Sequence, residues 1–336
     1  MYWMITNRTF KTDANGKPTQ FGDDFSDLTY WQNSTGQVDD PSKWVEMTAE
    51  TFRQGVVAIA DTFPDPNTTP TEKQKHFNIF VHGFDTNWTS AVQRYGAIVN
   101  NLFTEPDSLG LCVLFTWPSK GSVAGYLPDR SEARQSGDDF ADVLGALYDW
   151  MALKQTQGAK NASDGCKAQT SVIAHSMGNY VVENAMNAAW TRKNRPLLMS
   201  LINQFVMVAA DVDNDIFRSG DTVTHGDGEG IANLTYRVTA LYSGKDSVLG
   251  MSAGLKHFGK RRLGRSGLDT TCPVPDNVWD IDCSTLFDDK VNGMQVHSAY
   301  FNQQNCYDLM RLLLQGWDRR VLQSKKELPP PLPNTA

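Results

Sequence analysis

Short apolar runs rich in β-branched residues alternate with longer helical patterns along this chain, and the alternation restricts the folds it can adopt. Most of the runs are continuously apolar, as expected for parallel strands buried on both faces of a sheet. Strands that alternate with helices form βαβ crossovers, so the sequence predicts an α/β fold with a mostly parallel, doubly wound central sheet flanked by helices. The predicted strands are YWMIT, GVVAIA, FNIFV, LCVLFTW, TSVIAH, FVMVAA and YRVTALYS. The predicted helices run from Thr89 to Phe103, Glu132 to Leu153, Met177 to Arg192 and Tyr300 to Gln323.

Two long segments interrupt this alternation. Lys11 to Phe52 is polar and rich in turn-forming residues, and Gly250 to Asn277 holds a basic run, KHFGKRRLGR, followed by a loop with proline. Loops of this length inside a compact domain are usually functional or disordered, so each segment is a candidate lid. Neither signals a second domain. We expect one α/β domain over residues 1–325, with insertions at about 11–52 and 250–277, and a proline-rich tail over residues 326–336.

The charge and hydropathy of the chain argue against some classes of partner. A formal charge of −7 disfavours a nucleic-acid partner, because phosphate binding needs a basic face. No apolar run is long enough to cross a bilayer. The start, MYWMITNRTF, lacks the basic and apolar regions of a secretory signal, which favours the cytoplasm. A secreted or periplasmic chain whose signal had been removed would look the same, so that alternative stays open.

The five cysteines are scattered along the chain without CxxC spacing, which argues against a zinc knuckle or a redox dithiol. Cys272 and Cys283 flank one loop and could form a disulfide if the protein is exported. In a reducing compartment both would be free thiols, and we favour that state.

The stretch AHSMG, Ala174 to Gly178, lies between a predicted buried strand and a predicted helix. A nucleophile elbow needs this strand–turn–helix context and the pattern G-x-S-x-G, in which small residues flank a crowded turn. Here alanine replaces the first glycine, which is the smallest departure from the pattern. Ser176 is therefore a candidate nucleophile, although a serine that only caps a helix would give the same local sequence.

The order of the downstream residues favours the elbow. In α/β hydrolases the nucleophile is followed along the chain by the acid and then by the histidine. Of the three histidines after Ser176, His225 lies in a glycine-rich polar loop, and His257 lies in the basic run, whose charge disfavours the neutral form that a base needs. His297 follows the last predicted strand and precedes the final helix. We therefore predict His297 as the base.

Three aspartates follow predicted strands closely enough to serve as the acid: Asp211, Asp213 and Asp246. Ligand and catalytic groups of open α/β sheets gather at the carboxyl ends of the strands, so position alone admits all three. The acid accepts Nδ1–H from the histidine and stabilises the imidazolium. We favour Asp246, which follows the later strand, and keep Asp211 as the alternative.

An oxyanion hole requires two backbone N–H groups aimed at one point. Met177, directly after Ser176, supplies the first candidate donor at the start of the predicted helix. The loop in FVHGFDTNW supplies the second, because Gly83 lets the backbone turn and leaves the Phe84 N–H as a donor. His82 is interpreted as a buried structural histidine that fixes this loop.

Several residues near these motifs are candidates for the substrate pocket. Trp117, in the WPS triplet after a predicted strand, either lines the site or packs beneath the GYLPDR segment, since apolar pockets and cores use the same residues. His175 precedes Ser176 and should point away from it. We retain His82, Gly83, Trp117 and His175 as candidate pocket residues without a catalytic role.

The separated motifs FVHGFDTNW, VLFTWPSKG, YLPDR, AHSMGN, VMVAADVD, YSGKDSVL and VHSAYF occur in this order over about residues 78–301. In this respect the chain resembles bacterial α/β-hydrolase-fold proteins of unassigned function, which carry an HGF motif, a WPS motif and an AHSMGN elbow. The resemblance implies the α/β-hydrolase fold and a serine hydrolase with Ser176, Asp246 and His297 as its triad. The long insertions depart from the compact pattern of that family.

From these residues we predict a serine hydrolase that cleaves a small-molecule or lipid ester through an acyl-enzyme. The chemistry requires no metal or cofactor, and the sequence carries no nucleotide or flavin motif. Amide hydrolysis or acyl transfer could use the same three residues. A non-catalytic binding protein on a hydrolase scaffold is the alternative from another class, because fold does not imply function. The oligomeric state stays open.

Overall fold

A single nine-stranded sheet runs through the part of the chain that the structure describes. The structure is a computed structural model, and it describes residues 1–120, 126–192, 200–218, 227–257 and 259–324. The strands are β1 (Tyr2–Thr12), β2 (Pro18–Asn33), β3 (Val45–Met47), β4 (Lys75–Val81), β5 (Gly110–Thr116), β6 (Ala168–His175), β7 (Ile202–Val208), β8 (Thr235–Tyr242) and β9 (Val278–Asp282). Their order across the sheet is β3-β2-β1-β5-β4-β6-β7-β8-β9.

Parallel pairing dominates the sheet. In the order of the strands across the sheet, every neighbouring pair between β1 and the edge strand β9 is parallel. On the other side of β1, β2 and β3 add two antiparallel pairs. The carboxyl ends of the central strands therefore meet at one edge of the sheet. This arrangement confirms the predicted mostly parallel central sheet.

Helices cover both faces of the sheet, which explains why the strands are continuously apolar. The helices are α1 (Ala49–Ala60), α2 (Trp88–Leu102), α3 (Tyr126–Lys160), α4 (Gly178–Arg192), α5 (Glu229–Leu234), α6 (Ser247–Met251), α7 (Leu263–Ser266), α8 (Val296–Ala299), α9 (Gln304–Leu314) and α10 (Arg319–Ser324). Along β4, Ile79 and Val81 belong to the core beneath α1, α3 and α4, whereas Phe80 belongs to the core beneath α2 and α9.

The predicted strand GVVAIA, residues 55–60, is wrong, because these residues are the second half of helix α1. The helix begins after Thr48, whose side chain accepts a hydrogen bond from the amide of Thr51 and so caps the first turn. Its buried residues, Phe52, Val56 and Ala60, are spaced four apart. This spacing places them on one helical face, which the apolar run alone conceals.

The segment 11–52, expected to be a long loop, contributes two strands and the start of α1. Strand β2 pairs with β1 over most of its length, with register shifts at three points. These irregularities, together with its many half-buried positions, hide the two-residue period by which a strand is recognised. The sequence pattern also gives no signal for strand β9, because only two of its five residues, Val278 and Ile281, are buried.

Several other boundaries differ from the expected ones. The predicted final helix, Tyr300 to Gln323, is divided into α9 and α10, and α3 is longer than predicted at both ends. The second insertion, 250–277, contains a π-helical turn, Ser252–Lys256, and the short helix α7. The tail over residues 326–336 lies outside the described residues.

Within the described ranges, no helix is both long enough and apolar enough to cross a membrane.

All five cysteines are free thiols, so Cys272 and Cys283 form no disulfide. Cys283 is buried directly after β9, and Cys272 accepts hydrogen bonds from Arg218.

Replacing Phe52 by alanine tests whether the first insertion is integral to the core. The ring of Phe52 packs edge-on against Trp3 at 5.2 Å between centroids and lies 5.3 Å from Tyr30. We expect Phe52→Ala to lower the free energy of unfolding in urea by about 3 kcal/mol, the usual cost of removing a buried aromatic ring. The control Val45→Ala, at an exposed position of β3, should change it by less than about 0.5 kcal/mol. Equal effects would mean that α1 does not pack as described.

Candidate active site

Ser176 occupies the sharp turn between β6 and α4, at the carboxyl edge of the sheet. Its φ is +51°, a left-handed conformation that non-glycine residues adopt rarely and at some cost. The amide of Ser176 donates to the Val208 carbonyl (2.9 Å), and its carbonyl accepts from the amides of Asn179 and Asp211 (3.1 Å each). The strained backbone is therefore held on both sides by hydrogen bonds, as a nucleophile elbow requires.

Two glycines allow the elbow to pack against the loop after β4. A Cβ atom on Gly178 would lie 2.4 Å from the carbonyl oxygen of His82, and one on Gly83 would lie 2.7 Å from the Cβ of Ser176. Neither position has room for a side chain. The Phe84 and Met177 amides, the predicted oxyanion donors, follow Gly83 and Ser176 directly and so belong to two segments in backbone contact.

The structure brings together Ser176, His297 and Asp246, which are far apart in the sequence. His297 Nε2 lies 2.8 Å from Ser176 Oγ, and His297 Nδ1 lies 2.7 Å from Asp246 Oδ2. The other Asp246 oxygen accepts the amide of Leu249 at 3.0 Å, so Asp246 also caps α6. Asp246 is fully buried and His297 is partly exposed. With its second oxygen occupied, the carboxylate is fixed toward the imidazole.

Asp211, the alternative acid, is bound elsewhere. One of its oxygens accepts the Tyr126 hydroxyl at 2.7 Å, and the other accepts Ser252 Oγ at 3.0 Å and Arg262 Nε at 2.8 Å. Burial by itself raises the pKa of Asp211, but the Arg262 charge and the Tyr126 hydrogen bond outweigh it and hold the pKa below its usual value. Asp213, farther along the same loop, pairs with Arg262 and Lys260.

A network of buried polar groups fixes the loop that carries Gly83. His82 accepts the Trp117 amide at Nε2 (3.2 Å), so Nδ1 carries the proton and donates to the Gly83 carbonyl (2.9 Å). Thr116 Oγ1 lies 2.9 Å from His82 Nε2 and accepts Arg8 Nε at 3.0 Å. Burial, reinforced by the Arg8 charge, holds the pKa of His82 well below its ordinary value. His82 is thus a neutral structural histidine.

Arg8 extends this network to the N-terminal strands. Its guanidinium is fully buried and donates to the carbonyls of Thr86 (2.9 Å) and Gly22 (3.0 Å) and to the carboxylate of Asp23 (2.6 Å). Burial lowers the pKa of Arg8 to about 10, so the side chain stays charged at neutral pH. The first strand therefore holds the loop after β4 in place.

The candidate pocket residues differ in their surroundings. Trp117 is fully buried, stacks on His82 at 5.3 Å and donates its indole N–H to the His82 carbonyl at 2.9 Å. Of its two interpretations, packing fits this contact. His175 is buried beside His297, with its Nε2 2.9 Å from the His297 carbonyl oxygen.

The other two histidines take no part in this arrangement. His257 Nε2 lies 2.6 Å from the Tyr126 hydroxyl, and burial together with the Arg262 charge lowers the pKa of His257 to about 4. The basic surroundings thus favour the neutral ring, contrary to the expectation, and His257 is separated from the serine by its contact with Tyr126 rather than by its charge. His225 lies outside the described residues.

In the described parts of the chain, no group of three His, Cys, Asp or Glu side chains is arranged to hold a metal ion.

Three residues near the site are not among the predicted site residues. Arg8 and Arg94 make tertiary contacts that no local pattern indicates, and the guanidinium of Arg94 lies 3.0 Å from His175 Nδ1. Asn179, the last residue of AHSMGN, donates its side-chain amide to the carbonyls of Ala174 and Ser176 at 3.0 Å each. The motif itself could have pointed to Asn179.

A parallel sheet with a strained serine turn at its carboxyl edge defines an α/β hydrolase. The chain belongs to the family described as "Alpha/beta hydrolase of unknown function (DUF900)", whose model matches residues 66–271. The match covers Ser176, Asp211 and Asp246 but ends before His297. A comparison with curated proteins gives no match.

Solved structures of hydrolases show a distant likeness. Aspergillus fumigatus lipase B is 14% identical, with a TM-score of 0.40 over 82% of this chain and 62% of the lipase. A Pyrobaculum calidifontis esterase is 9% identical, with a TM-score of 0.35 over 80% of this chain and 92% of the esterase. Pyrococcus horikoshii acylaminoacyl peptidase is 11% identical, with a TM-score of 0.34 over 87% of this chain and 48% of the peptidase. At these scores the likeness says nothing about the substrate.

The ion pair between Asp211 and Arg262 provides a stability prediction. Both side chains are buried, so Asp211→Asn should lower the free energy of unfolding by about 3 kcal/mol, because it leaves a buried guanidinium with less compensation. Lys260→Ala removes an exposed ion pair with Asp213 and should cost less than about 1 kcal/mol. Urea unfolding of the two variants measures the difference.

The same variant predicts a pH dependence. Since folding lowers the pKa of Asp211, its stabilising contribution is present above the unfolded value of about 3.9 and is lost as the pH falls through the lowered value. The gap in stability between the wild type and Asp211→Asn should therefore be constant near pH 7 and shrink below about pH 4. A gap that grows on acidification would contradict this assignment.

Proposed function

We propose that the protein is a serine hydrolase that cleaves carboxylic esters through an acyl-enzyme intermediate. The observation that carries the proposal is the continuous hydrogen-bonded chain from Ser176 Oγ through His297 to Asp246, with distances of 2.8 and 2.7 Å. Ser176, the first residue of this hydrogen-bonded series, has a strained backbone, and such strain is concentrated at functional sites.

In the proposed reaction, His297 Nε2 takes the proton from Ser176 Oγ as the oxygen attacks the ester carbonyl carbon. Asp246 stabilises the imidazolium that forms and keeps the proton of the neutral ring on Nδ1. His297 then gives its proton to the departing alkoxide, leaving the acyl group on Ser176. Water repeats the sequence on the acyl-enzyme and releases the acid. No cofactor is needed.

The amides of Phe84 and Met177 are proposed to bind the developing oxyanion. Gly83 lies against Ser176, so the amide after it belongs to a loop in contact with the nucleophile. Met177 lies at the start of α4, where backbone N–H groups and the helix dipole favour negative charge. The backbone contact between the two segments fixes both donors before substrate binds.

An ester is the proposed substrate class because an alkoxide leaves more readily than an amine anion, which makes an ester the easier acyl donor for the same Ser–His–Asp arrangement. The proposed substrates are small-molecule or lipid esters. Initial rates with p-nitrophenyl esters of increasing chain length measure the acyl preference. Hydrolysis of matched anilides at a comparable rate would favour an amidase instead.

Labelling with a fluorophosphonate probe tests the nucleophile. We expect the wild type to be labelled stoichiometrically and Ser176→Ala to be unlabelled, because the probe phosphonylates only an activated serine. The control Ser90→Ala, at an exposed serine of α2, should be labelled like the wild type. Equal labelling of Ser176→Ala and the wild type would refute the proposal.

The two candidate acids can be separated by kinetics. Asp246→Asn should lower kcat toward p-nitrophenyl esters by on the order of 10³- to 10⁴-fold, because the imidazole loses the partner that fixes its tautomer. Asp211→Asn, although less stable, should retain kcat within about tenfold per folded molecule. The reverse result would identify Asp211 as the acid.

A further inference from the structure

His175, directly before Ser176, makes two side-chain hydrogen bonds that the proposed reaction does not use. Its Nδ1 lies 3.0 Å from the guanidinium of Arg94, and its Nε2 lies 2.9 Å from the carbonyl oxygen of His297. The ring is almost fully buried, and it packs 4.9 Å from the His297 ring and edge-on at 5.2 Å from Phe301.

These contacts determine where the proton of His175 resides. A guanidinium has only donors, so Nδ1 of His175 must accept from Arg94. Nε2 then carries the hydrogen and donates it to the His297 carbonyl. Burial and the nearby Arg94 charge hold the pKa of His175 well below its ordinary value, so the ring is neutral at physiological pH. One tautomer satisfies both partners.

The carbonyl that His175 binds lies on a short helix packed against the core. His297 lies on α8, a helix of four residues. The amide of Phe301, which would reach the His297 carbonyl in a continuing α-helix, instead donates to Ser298 at 3.2 Å. The terminal carbonyls of a helix need partners from outside it, and His175 is the partner of this one.

The bond from His175 therefore connects the backbone of His297 to the residue adjoining the nucleophile. Two hydrogen bonds thus connect His297 to the elbow: its side chain bonds to Ser176, and its backbone carbonyl bonds to His175. Arg94, on α2, completes the arrangement, with its guanidinium 5.4 Å from the centroid of the Phe301 ring.

We propose that His175 is a positioning residue that holds His297 at hydrogen-bond distance from Ser176, and that Arg94 selects the tautomer of His175 that does so. The inference rests on the proposed function, in which His297 is the base. His175 does not contact the reacting atoms. Its contribution is geometric, and misplacement of a catalytic group by about 1 Å can cost about 100-fold in rate.

Two substitutions separate the hydrogen bond from the packing of the ring. His175→Phe keeps a flat ring but removes the donor, and we expect it to lower kcat toward p-nitrophenyl esters by about 10- to 100-fold with KM within about twofold. His175→Gln retains an N–H group at the far end of the side chain and should recover kcat to within about fivefold of the wild type. Urea unfolding checks that both variants are folded.

Arg94→Met provides a second test of the positioning role if His175→Phe does not fold. Without the Arg94 donor, the proton of His175 can move to Nδ1, which turns the Nε2 lone pair toward the His297 carbonyl. This variant should also lower kcat while leaving KM unchanged.

A spectroscopic readout keeps the positioning inference separate from the reaction. The Nδ1 proton of His297, bonded to Asp246, should give a proton resonance downfield of the amides that is absent in His297→Gln. We expect it to be sharp in the wild type and in His175→Gln, and broadened or lost in His175→Phe.

Wild-type kcat and a sharp resonance in His175→Phe would overturn the positioning role, as would equal losses of kcat in His175→Phe and His175→Gln. Failure of Ser176 to react with fluorophosphonate in the wild type would instead refute the proposed function as a serine hydrolase. The resonance would then decide on its own whether His175 orders His297.

Discussion

The end of β4 and the first turn of α4 touch backbone to backbone, and the rest of the site depends on this contact. Gly178 lies against the His82 carbonyl, and Gly83 lies against Ser176. No side chain separates the two segments, and the serine turn between them has a positive φ. The proposed oxyanion donors, the amides after Gly83 and Ser176, belong to these two segments. Electrostatic stabilisation of an oxyanion requires such prior fixation, since donors that must reorganise during the reaction contribute less.

Two fully buried arginines secure the loops on either side of this contact. Arg8 reaches from β1 to the loop after β4, and Arg262 reaches from the segment before α7 to Asp211 in the loop after β7. A buried guanidinium is costly unless most of its donors are satisfied, so each arginine specifies several partners at once. Their positions therefore order loops that apolar packing alone would leave variable.

Continuous apolar runs predicted the central parallel strands correctly, because burial on both faces removes the polar alternation and leaves a simple signal. Strand β2 escaped prediction since its register shifts break the period, and GVVAIA was misassigned because its helical face includes Phe52, outside the run. Both cases depend on features larger than a short apolar run: the irregular register of the β1–β2 hairpin and the full helical face of α1.

For the candidate site, the elbow pattern and the order of residues were sufficient to nominate Ser176, Asp246 and His297, which the structure brings within hydrogen-bond distance. The sequence favours Asp246 over Asp211 only by its later strand, because both residues follow parallel strands. The distinction depends on Arg262, which lies about fifty residues beyond Asp211 and occupies its carboxylate. Arg94 was invisible for the same reason, as its partner His175 lies on another element.

The family model spans residues 66–271, yet Arg8 lies before that span and His297 lies after it. A fragment cut to the matched region would lack β1, β2 and β3 at one edge of the sheet, β9 at the other, and one member of the Ser–His–Asp arrangement. The region that is recognisable by sequence is thus smaller than the unit that assembles the site, and relatives should be compared over the whole domain.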